Sequence, residues 1–170
     1  LMGGSADLAP SNKSTMDKRE FFSADNYAGS NIHFGIREFA MAGMANGMYL
    51  HGGILPYVAT FFVFSDYLKH GIRLSALMKL PVIYVMTHDS IGVGEDGPTH
   101  EPIEQLAGIR SIPDTYMWRP ADSKETAAAY EFALTKAEGP VVMALSRQKL
   151  PLYDETGKAA LKGGYVLKDC

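Results

Sequence analysis

The sequence is poor in cysteine, in long apolar runs and in excess positive charge. Its one cysteine is Cys170, so neither an internal disulfide nor a zinc site built from several cysteines can form, and a reducing, cytoplasmic compartment is expected. Lys and Arg number 16 against 19 Asp and Glu, which argues against nucleic-acid and anionic-membrane partners. The longest apolar run, residues 54–64, is too short to cross a bilayer.

The chain has 170 residues, of which 46% are hydrophobic and 21% charged, as expected of one globular domain with a substantial core. Short apolar runs alternate with helix-like segments, which predicts an α/β fold with an open, mainly parallel, six-stranded sheet and helices on both faces. The predicted strands are 1–5, 31–34, 53–60, 82–87, 115–119 and 141–146. The predicted helices are 36–50, 62–78, 104–109 and 122–137, the last opening on a capping pattern of Asp122 and Glu125.

Two polar segments interrupt this alternation. Residues 10–30 are rich in Ser, Asn and charged side chains and are predicted to form a loop. The segment after Pro151 is also polar and contains Gly163 and Gly164. We therefore expect one domain over residues 1–162, followed at 163–170 by the start of a linker to a further domain.

Polar side chains follow several of the predicted strands. Those with chemical potential at these positions are Asp7, Ser11, Glu38, His88 and Arg147. In an open parallel sheet, ligands bind beyond the carboxyl ends of the strands. The sequence therefore predicts a polar binding site at this edge.

A glycine-rich segment follows the fourth predicted strand. Residues 92–97 match the pattern G-x-G-x-x-G, but no helix opens directly after them, and the carboxylates of Glu95 and Asp96 would repel a dinucleotide pyrophosphate. A loop with unusual backbone angles is the better interpretation. His88 and His100 flank the loop without the close spacing of a helical metal site. Acid–base or hydroxyl-binding roles and plain surface histidines both stay open for them.

Glu38 and an aromatic stripe allow two interpretations each. Glu38 is either an exposed glutamate favoured by the helix dipole or a partly buried carboxyl that shares a proton with a ligand nitrogen. Phe61, Phe64 and Tyr67 recur every three residues, and such a stripe can pack in a core or form a cup for a planar heteroaromatic ring. Arg147 and Ser11 suit phosphate, as a forked cation and a neutral donor.

Four segments of the chain carry a family resemblance. Residues 1–12, 33–39, 87–100 and 145–148 resemble, in order and spacing, the central pyrimidine-binding domain of the transketolase family. The most specific segment is 87–100, which reads Thr-His-Asp-Ser-Ile-Gly-Val-Gly-Glu-Asp-Gly-Pro-Thr-His. The resemblance covers essentially the whole chain. It implies a thiamine diphosphate enzyme of the pentose phosphate pathway that transfers a two-carbon ketol unit between sugar phosphates.

The resemblance also implies roles for individual residues. Glu38 would bond the aminopyrimidine nitrogen of the cofactor and promote its imino tautomer, and it is the expected catalytic residue together with His100. The expected cofactor-binding residues are Glu38, Phe61, Phe64, Tyr67 and Asp7. The expected substrate-binding residues are Asp96 and His100 at the sugar hydroxyls, and Ser11, His88 and Arg147 at the terminal phosphate. No metal ligand is expected in this chain.

The resemblance further implies parts that this sequence lacks. The Gly-Asp-Gly motif, with which the preceding domain of the family holds the diphosphate and a Mg or Ca ion, does not occur. We therefore expect an excised or separately made domain, inactive alone, whose active site forms with the diphosphate-binding domain of another subunit in a homodimer. The small residues within 40–47 are expected at a subunit interface. The alternatives are a domain of dihydroxyacetone synthase or 1-deoxyxylulose-5-phosphate synthase, and a non-catalytic ligand- or partner-binding module.

Overall fold

The structure, a computed structural model, describes residues 1–169. Cys170, on which the expectation about disulfides and zinc depends, lies outside the described residues, as does the last position of the predicted linker. No helix within residues 1–169 combines the length and the apolar character needed to span a bilayer.

The sheet has six strands, all parallel, in the order β2-β1-β3-β4-β6-β5. The strands are β1 (Met2–Ser5), β2 (Asn31–His33), β3 (Pro56–Phe61), β4 (Ile83–Thr87), β5 (Tyr116–Trp118) and β6 (Val141–Leu145). All six predicted strands are confirmed, each somewhat shorter than predicted. The predicted fold class is confirmed as well, with a sheet that is parallel throughout.

The helices are α1 (Ala9–Asn12), α2 (Glu38–His51), α3 (Ser65–Leu77), α4 (Gln105–Arg110) and α5 (Ser123–Thr135). Side chains alternate along each strand, so β4 sends Tyr84 to one face and Val85 to the other. The first face packs against α2, α3 and α4, and the second against α5. Because both faces are covered, the central strands are mostly apolar, with Thr60 of β3 and Thr87 of β4 as buried polar positions. Each fully buried large apolar side chain contributes about 1.5–3 kcal/mol.

Small residues let α2 and α3 approach closely. A methyl group on Gly71 of α3 would lie 2.5 Å from the Cβ of Ala42, so glycine is required at that contact. The small residues within 40–47 divide between two sides of α2. Ala42 and Ala45 are buried in the core, whereas Ala40, Gly43 and Gly47 are exposed. Only the exposed set can belong to the predicted interface.

The two polar segments are ordered by side-chain hydrogen bonds. The loop predicted over residues 10–30 overlaps the short helix α1 at its start. The buried Asn31 holds the loop by accepting from Met16 N at 2.8 Å and donating to Arg19 O at 2.8 Å. After β6, the 3-10 helix Lys158–Lys162 packs against α5. The domain division at residue 162 stays a prediction.

Candidate active site

Four neighbouring strands, β1, β3, β4 and β6, end at one edge of the sheet and bring distant residues together there. They form a pocket of about 480 Å³, which we call the strand-end pocket. Its lining residues are Leu8, Pro10, Ser11, Lys13, Phe61, His88, Asp96, His100 and Arg147. This set includes all five residues predicted to bind substrate. Their individual roles stay predictions.

The aromatic stripe forms a stack beside this pocket. Phe61 ends β3, Phe64 ends the 3-10 turn Phe62–Phe64, and Tyr67 lies in the first turn of α3. A 3-10 turn has three residues, so every third ring falls on the same side. Phe61 and Phe64 are 6.2 Å apart at an interplanar angle of 4°, and Phe64 and Tyr67 are 5.9 Å apart at 24°. Phe62, not this stack, enters the core.

His88 is the most constrained side chain of the pocket. Its backbone is left-handed, with φ of 61°, and its ring stacks on Phe61 at 3.7 Å. Its Nδ1 lies 2.9 Å from Thr87 Oγ1. Burial lowers the pKa of His88, and the charges of Arg147 and His100 lower it further, while Asp96 and Asp89 oppose this effect. The imidazole is therefore neutral at physiological pH.

His100 approaches the same aromatic stack from its side. Its ring lies edge-on to Phe61 at 6.2 Å and to Phe64 at 5.4 Å. Its Nδ1 contacts Thr99 Oγ1 at 2.8 Å, which repeats the Thr–His arrangement at His88. In both histidines Nδ1 is engaged, and within residues 1–169 Nε2 has no hydrogen-bond partner. Both Nε2 atoms are available to a ligand.

The glycine-rich loop places two carboxylates at the pocket. Gly94 and Gly97 have φ of 80° and 76°, which confirms the predicted unusual backbone angles. Between them, Asp96 lines the pocket and Glu95 reaches Arg147 Nη2 at 3.9 Å. The next α-helix starts only at Gln105, which is the wrong geometry for a dinucleotide fingerprint. Among residues 1–169, no group of three His, Asp or Glu side chains is arranged to hold a metal ion.

Glu38 and Asp7 lie at the ends of neighbouring strands but do not line the pocket. Glu38 is the first residue of α2 and is only 8% exposed, so the interpretation as an exposed helix-start glutamate is wrong. Arg37 is turned away from it and donates to Phe34 O at 3.1 Å. Within residues 1–169 no hydrogen bond reaches the Glu38 carboxylate. Asp7 is exposed and left-handed, with φ of 63°.

Lys13 is a pocket residue without a clear sequence signal. It follows α1 in a left-handed conformation, with φ of 54°. With Arg147 it places two cations at the pocket, against the carboxylate of Asp96. A neutral histidine, a hydroxyl and two cations suit an anionic, hydroxylated ligand. Only its proximity to Ser11 could have suggested Lys13.

Comparison with known proteins shows which family this chain is similar to. The family model described as "Transketolase, pyrimidine binding domain" matches residues 1–152. A transketolase of Bacillus subtilis is 56% identical over 171 residues, which cover 98% of this chain and 26% of the relative. The chain therefore spans about a quarter of the length of that relative.

Solved structures agree with this similarity. A transketolase of Pichia stipitis in complex with sedoheptulose 7-phosphate has a TM-score of 0.96 and 44% identity, and the match covers 99% of this chain and 26% of that one. An inactive β4 tetramer of a split-gene transketolase has a TM-score of 0.69 and 30% identity, over 92% of this chain and 48% of that one.

Proposed function

Because this chain belongs to the family of transketolase pyrimidine-binding domains, we propose that it forms half of a thiamine diphosphate-dependent active site. This half holds the pyrimidine ring of the cofactor and binds the sugar phosphate substrates. The observation that carries the proposal is the strand-end pocket, which gathers Ser11, His88, Asp96, His100 and Arg147 beside an aromatic stack. When bound, thiamine diphosphate supplies the carbon nucleophile that carries the two-carbon unit.

The residues present fit an aminopyrimidine ring. The nearly parallel rings of Phe61, Phe64 and Tyr67 form an apolar stack, against which a planar heteroaromatic ring can pack. Glu38 is a buried residue, and within residues 1–169 no hydrogen bond reaches its carboxylate, which is free to accept one from a ligand. We assign Glu38 to holding or sharing a proton with a ring nitrogen, and Asp7 to a supporting position near the cofactor. The diphosphate and a Mg or Ca ion would be held by another domain.

The strand-end pocket suits the substrate. Asp96 accepts hydrogen bonds from sugar hydroxyl groups, and His100 meets them near the reacting carbons. The terminal phosphate lies between Ser11, His88 and Arg147. If Thr87 donates to Nδ1 of His88, Nε2 carries the proton and donates to a phosphate oxygen. The neutral His88 thus recognises the phosphate by hydrogen bonding, and Arg147 supplies the charge.

The exposed side of α2 supports an obligatory partner. Four large apolar side chains are exposed here, one just before the helix and three on it: Ile36 (79% exposed), Phe39 (51%), Met44 (45%) and Leu50 (62%). Gly43 and Gly47 lie between them with open space above. We propose that a diphosphate-binding domain from another subunit of a homodimer covers this side.

The split-gene transketolase described as an inactive β4 tetramer supports the expectation that this chain is inactive alone. A cytoplasmic location and a role in the pentose phosphate pathway are part of the same proposal.

Complementation tests this function. The chain is mixed with the diphosphate-binding part of the Bacillus subtilis relative, thiamine diphosphate and Mg²⁺, and ketol transfer is measured. We expect activity only in the mixture, and we expect Glu38→Gln to lower kcat by at least about 100-fold, as for loss of a proton-transfer group. The exposed Glu138 provides the matched control, and Glu138→Gln should leave kcat unchanged. Full activity of the chain alone, or of the Glu38→Gln mixture, would contradict the proposal.

A further inference from the structure

The residue after His88 carries a buried carboxylate to which the proposed function gives no role. The Asp89 side chain is only 3% exposed, and its Oδ2 accepts from Arg119 Nε at 3.1 Å. Its Oδ1 is buried and has no hydrogen-bond partner within residues 1–169. A buried carboxylate is costly unless it is paired, so this ion pair is not an incidental surface contact.

The ion pair spans the strand that leads to Arg147. Asp89 lies just beyond β4 and Arg119 follows β5, and β6 lies between these two strands in the sheet. Beyond its last residue, β6 continues through Ser146 into Arg147. The Asp89–Arg119 contact therefore connects the strand ends on either side of the segment that carries Arg147. It is attached directly, through one peptide bond, to His88.

His88 needs such a constraint because its backbone is left-handed. This conformation costs a non-glycine residue free energy and persists only where the surroundings enforce it. Phe61 holds the ring by stacking, and Thr87 engages Nδ1. Neither contact holds the backbone that follows His88, whereas the buried carboxylate of Asp89 does.

We propose that the Asp89–Arg119 ion pair is a positioning device that sets the orientation of the His88 imidazole for anion binding. Asp89 and Arg119 are positioning residues and do not touch the ligand themselves. The inference rests on the proposed function, in which His88 and Arg147 bind a phosphate. The charged and titratable groups that face His88 are Arg147, Asp96, His100 and Asp89.

The test is a titration of the 170-residue chain with inorganic phosphate, followed by the NMR signals of the His88 ring. The dissociation constant, the ring tautomer from its ¹⁵N shifts, and the titration of His88 with pH are read from one set of samples. We expect Asp89→Asn and Arg119→Gln each to weaken phosphate binding about three- to tenfold and to change the His88 ¹⁵N shifts. Arg119→Lys keeps the positive charge, so its phosphate affinity should lie between that of wild type and that of Arg119→Gln.

Two controls separate this inference from the proposed function. Glu131 of α5 forms an exposed ion pair with Lys158 at 3.5 Å. Glu131→Gln breaks this pair and should change neither phosphate binding nor the His88 signals. Arg147→Gln should abolish phosphate binding. If Arg147→Gln leaves binding unchanged, the proposed phosphate site and the inference both fail.

The positioning role alone fails in a different way. If Arg147→Gln abolishes binding, while Asp89→Asn and Arg119→Gln lower the thermal stability but leave the phosphate affinity and His88 signals unchanged, the pair is only structural. Circular dichroism tests whether each variant is folded. Should Asp89→Asn not fold, the comparison of Arg119→Lys with Arg119→Gln decides between these two outcomes.

Discussion

The centre of the sheet and its carboxyl edge follow opposite rules. In the centre, β3, β4 and β6 bury apolar side chains on both faces. At the edge, Asp7, Lys13 and His88 have left-handed backbones, and the acidic residues Glu38 and Asp89 are buried. Such features cost stability and cluster where a protein binds ligands. Apolar burial in the centre therefore offsets the free-energy cost of the strained backbones and buried acidic residues at the edge.

The largest loss of stability is expected from a substitution in the apolar core. Leu68 of α3 is fully buried, whereas Leu77 of the same helix is 68% exposed. Leu68→Ala is expected to lower the free energy of unfolding by about 2–5 kcal/mol, because it leaves a cavity. Urea unfolding measures this loss. Leu77→Ala is the matched control and should change the value by less than about 0.5 kcal/mol; equal losses would contradict the assignment of the core.

A smaller loss is expected at Asp122, whose two carboxylate oxygens both accept hydrogen bonds. Asp122 caps α5 by accepting from Glu125 N at 3.0 Å, and it also accepts from Tyr153 N and Thr156 Oγ1. Asp122→Ala should lower the free energy of unfolding by about 2 kcal/mol, the upper range for a helix cap, because the segment after β6 loses its anchor too. Chemical unfolding at neutral pH checks this.

The same cap predicts an acid dependence. Burial raises the pKa of Asp122, but hydrogen bonds from Thr156 and from the backbone of Glu125, Tyr153 and Lys124 outweigh this effect and bring the pKa below its ordinary value. The contribution is therefore present at neutral pH and is lost as the pH falls through the lowered pKa. Asp122→Asn keeps part of the cap and should lack this acid dependence. If Asp122→Asn loses stability in acid as much as wild type does, Asp122 is not the source of the acid dependence.

At His88 the pH dependence has another window. Because burial and the charge of Arg147 lower its pKa, the fold favours the neutral ring, and its contribution is present above the unfolded-state pKa of about 6.5. It is lost as the pH falls from there through the lower folded-state pKa. Unfolding measured from pH 8 to 5.5 should show a decline that His88→Gln reduces. His51→Gln, at the exposed end of α2, should keep the decline of wild type.

The smallest expected effect sharpens the electrostatics of the pocket. Glu95 is 3.9 Å from Arg147 and its side chain is 87% exposed, so it competes with a phosphate for the guanidinium group. Glu95→Gln should strengthen binding of inorganic phosphate by up to about threefold, the scale of an exposed ion pair. Isothermal titration measures this, with Glu101→Gln as control. Weaker binding would mean that Glu95 supports Arg147 rather than competing with it.

Local patterns predicted the elements well because their causes are local. The apolar run over 82–87 predicted β4, and the Asp122–Glu125 pattern predicted the start of α5, where Glu125 Oε2 also accepts from Ala121 N at 2.7 Å. Both depend on neighbours within a few residues. The three-residue aromatic spacing was ambiguous, since a core stripe and a ligand wall have the same period.

Other features had no local cause. The burial of Glu38 depends on how α2 docks on the sheet, and the split of the small residues into Ala42 and Ala45 inside against Gly43 and Gly47 outside depends on α3. The Asp89–Arg119 pair joins residues on strands that are separated by β6. No spacing in the sequence indicates that contact.

What the sequence by itself determined was the kind and order of the elements, the polar character of the strand ends and the family to which the chain is similar. These follow from side-chain periodicity and short motifs, which act over a few residues. Only the tertiary structure decided which strand ends are neighbours, and hence that His88 stacks on Phe61 and lies in one pocket with Ser11 and Arg147. The physical reason is that strand order is set by burial of both sheet faces at once, which joins residues far apart in the chain.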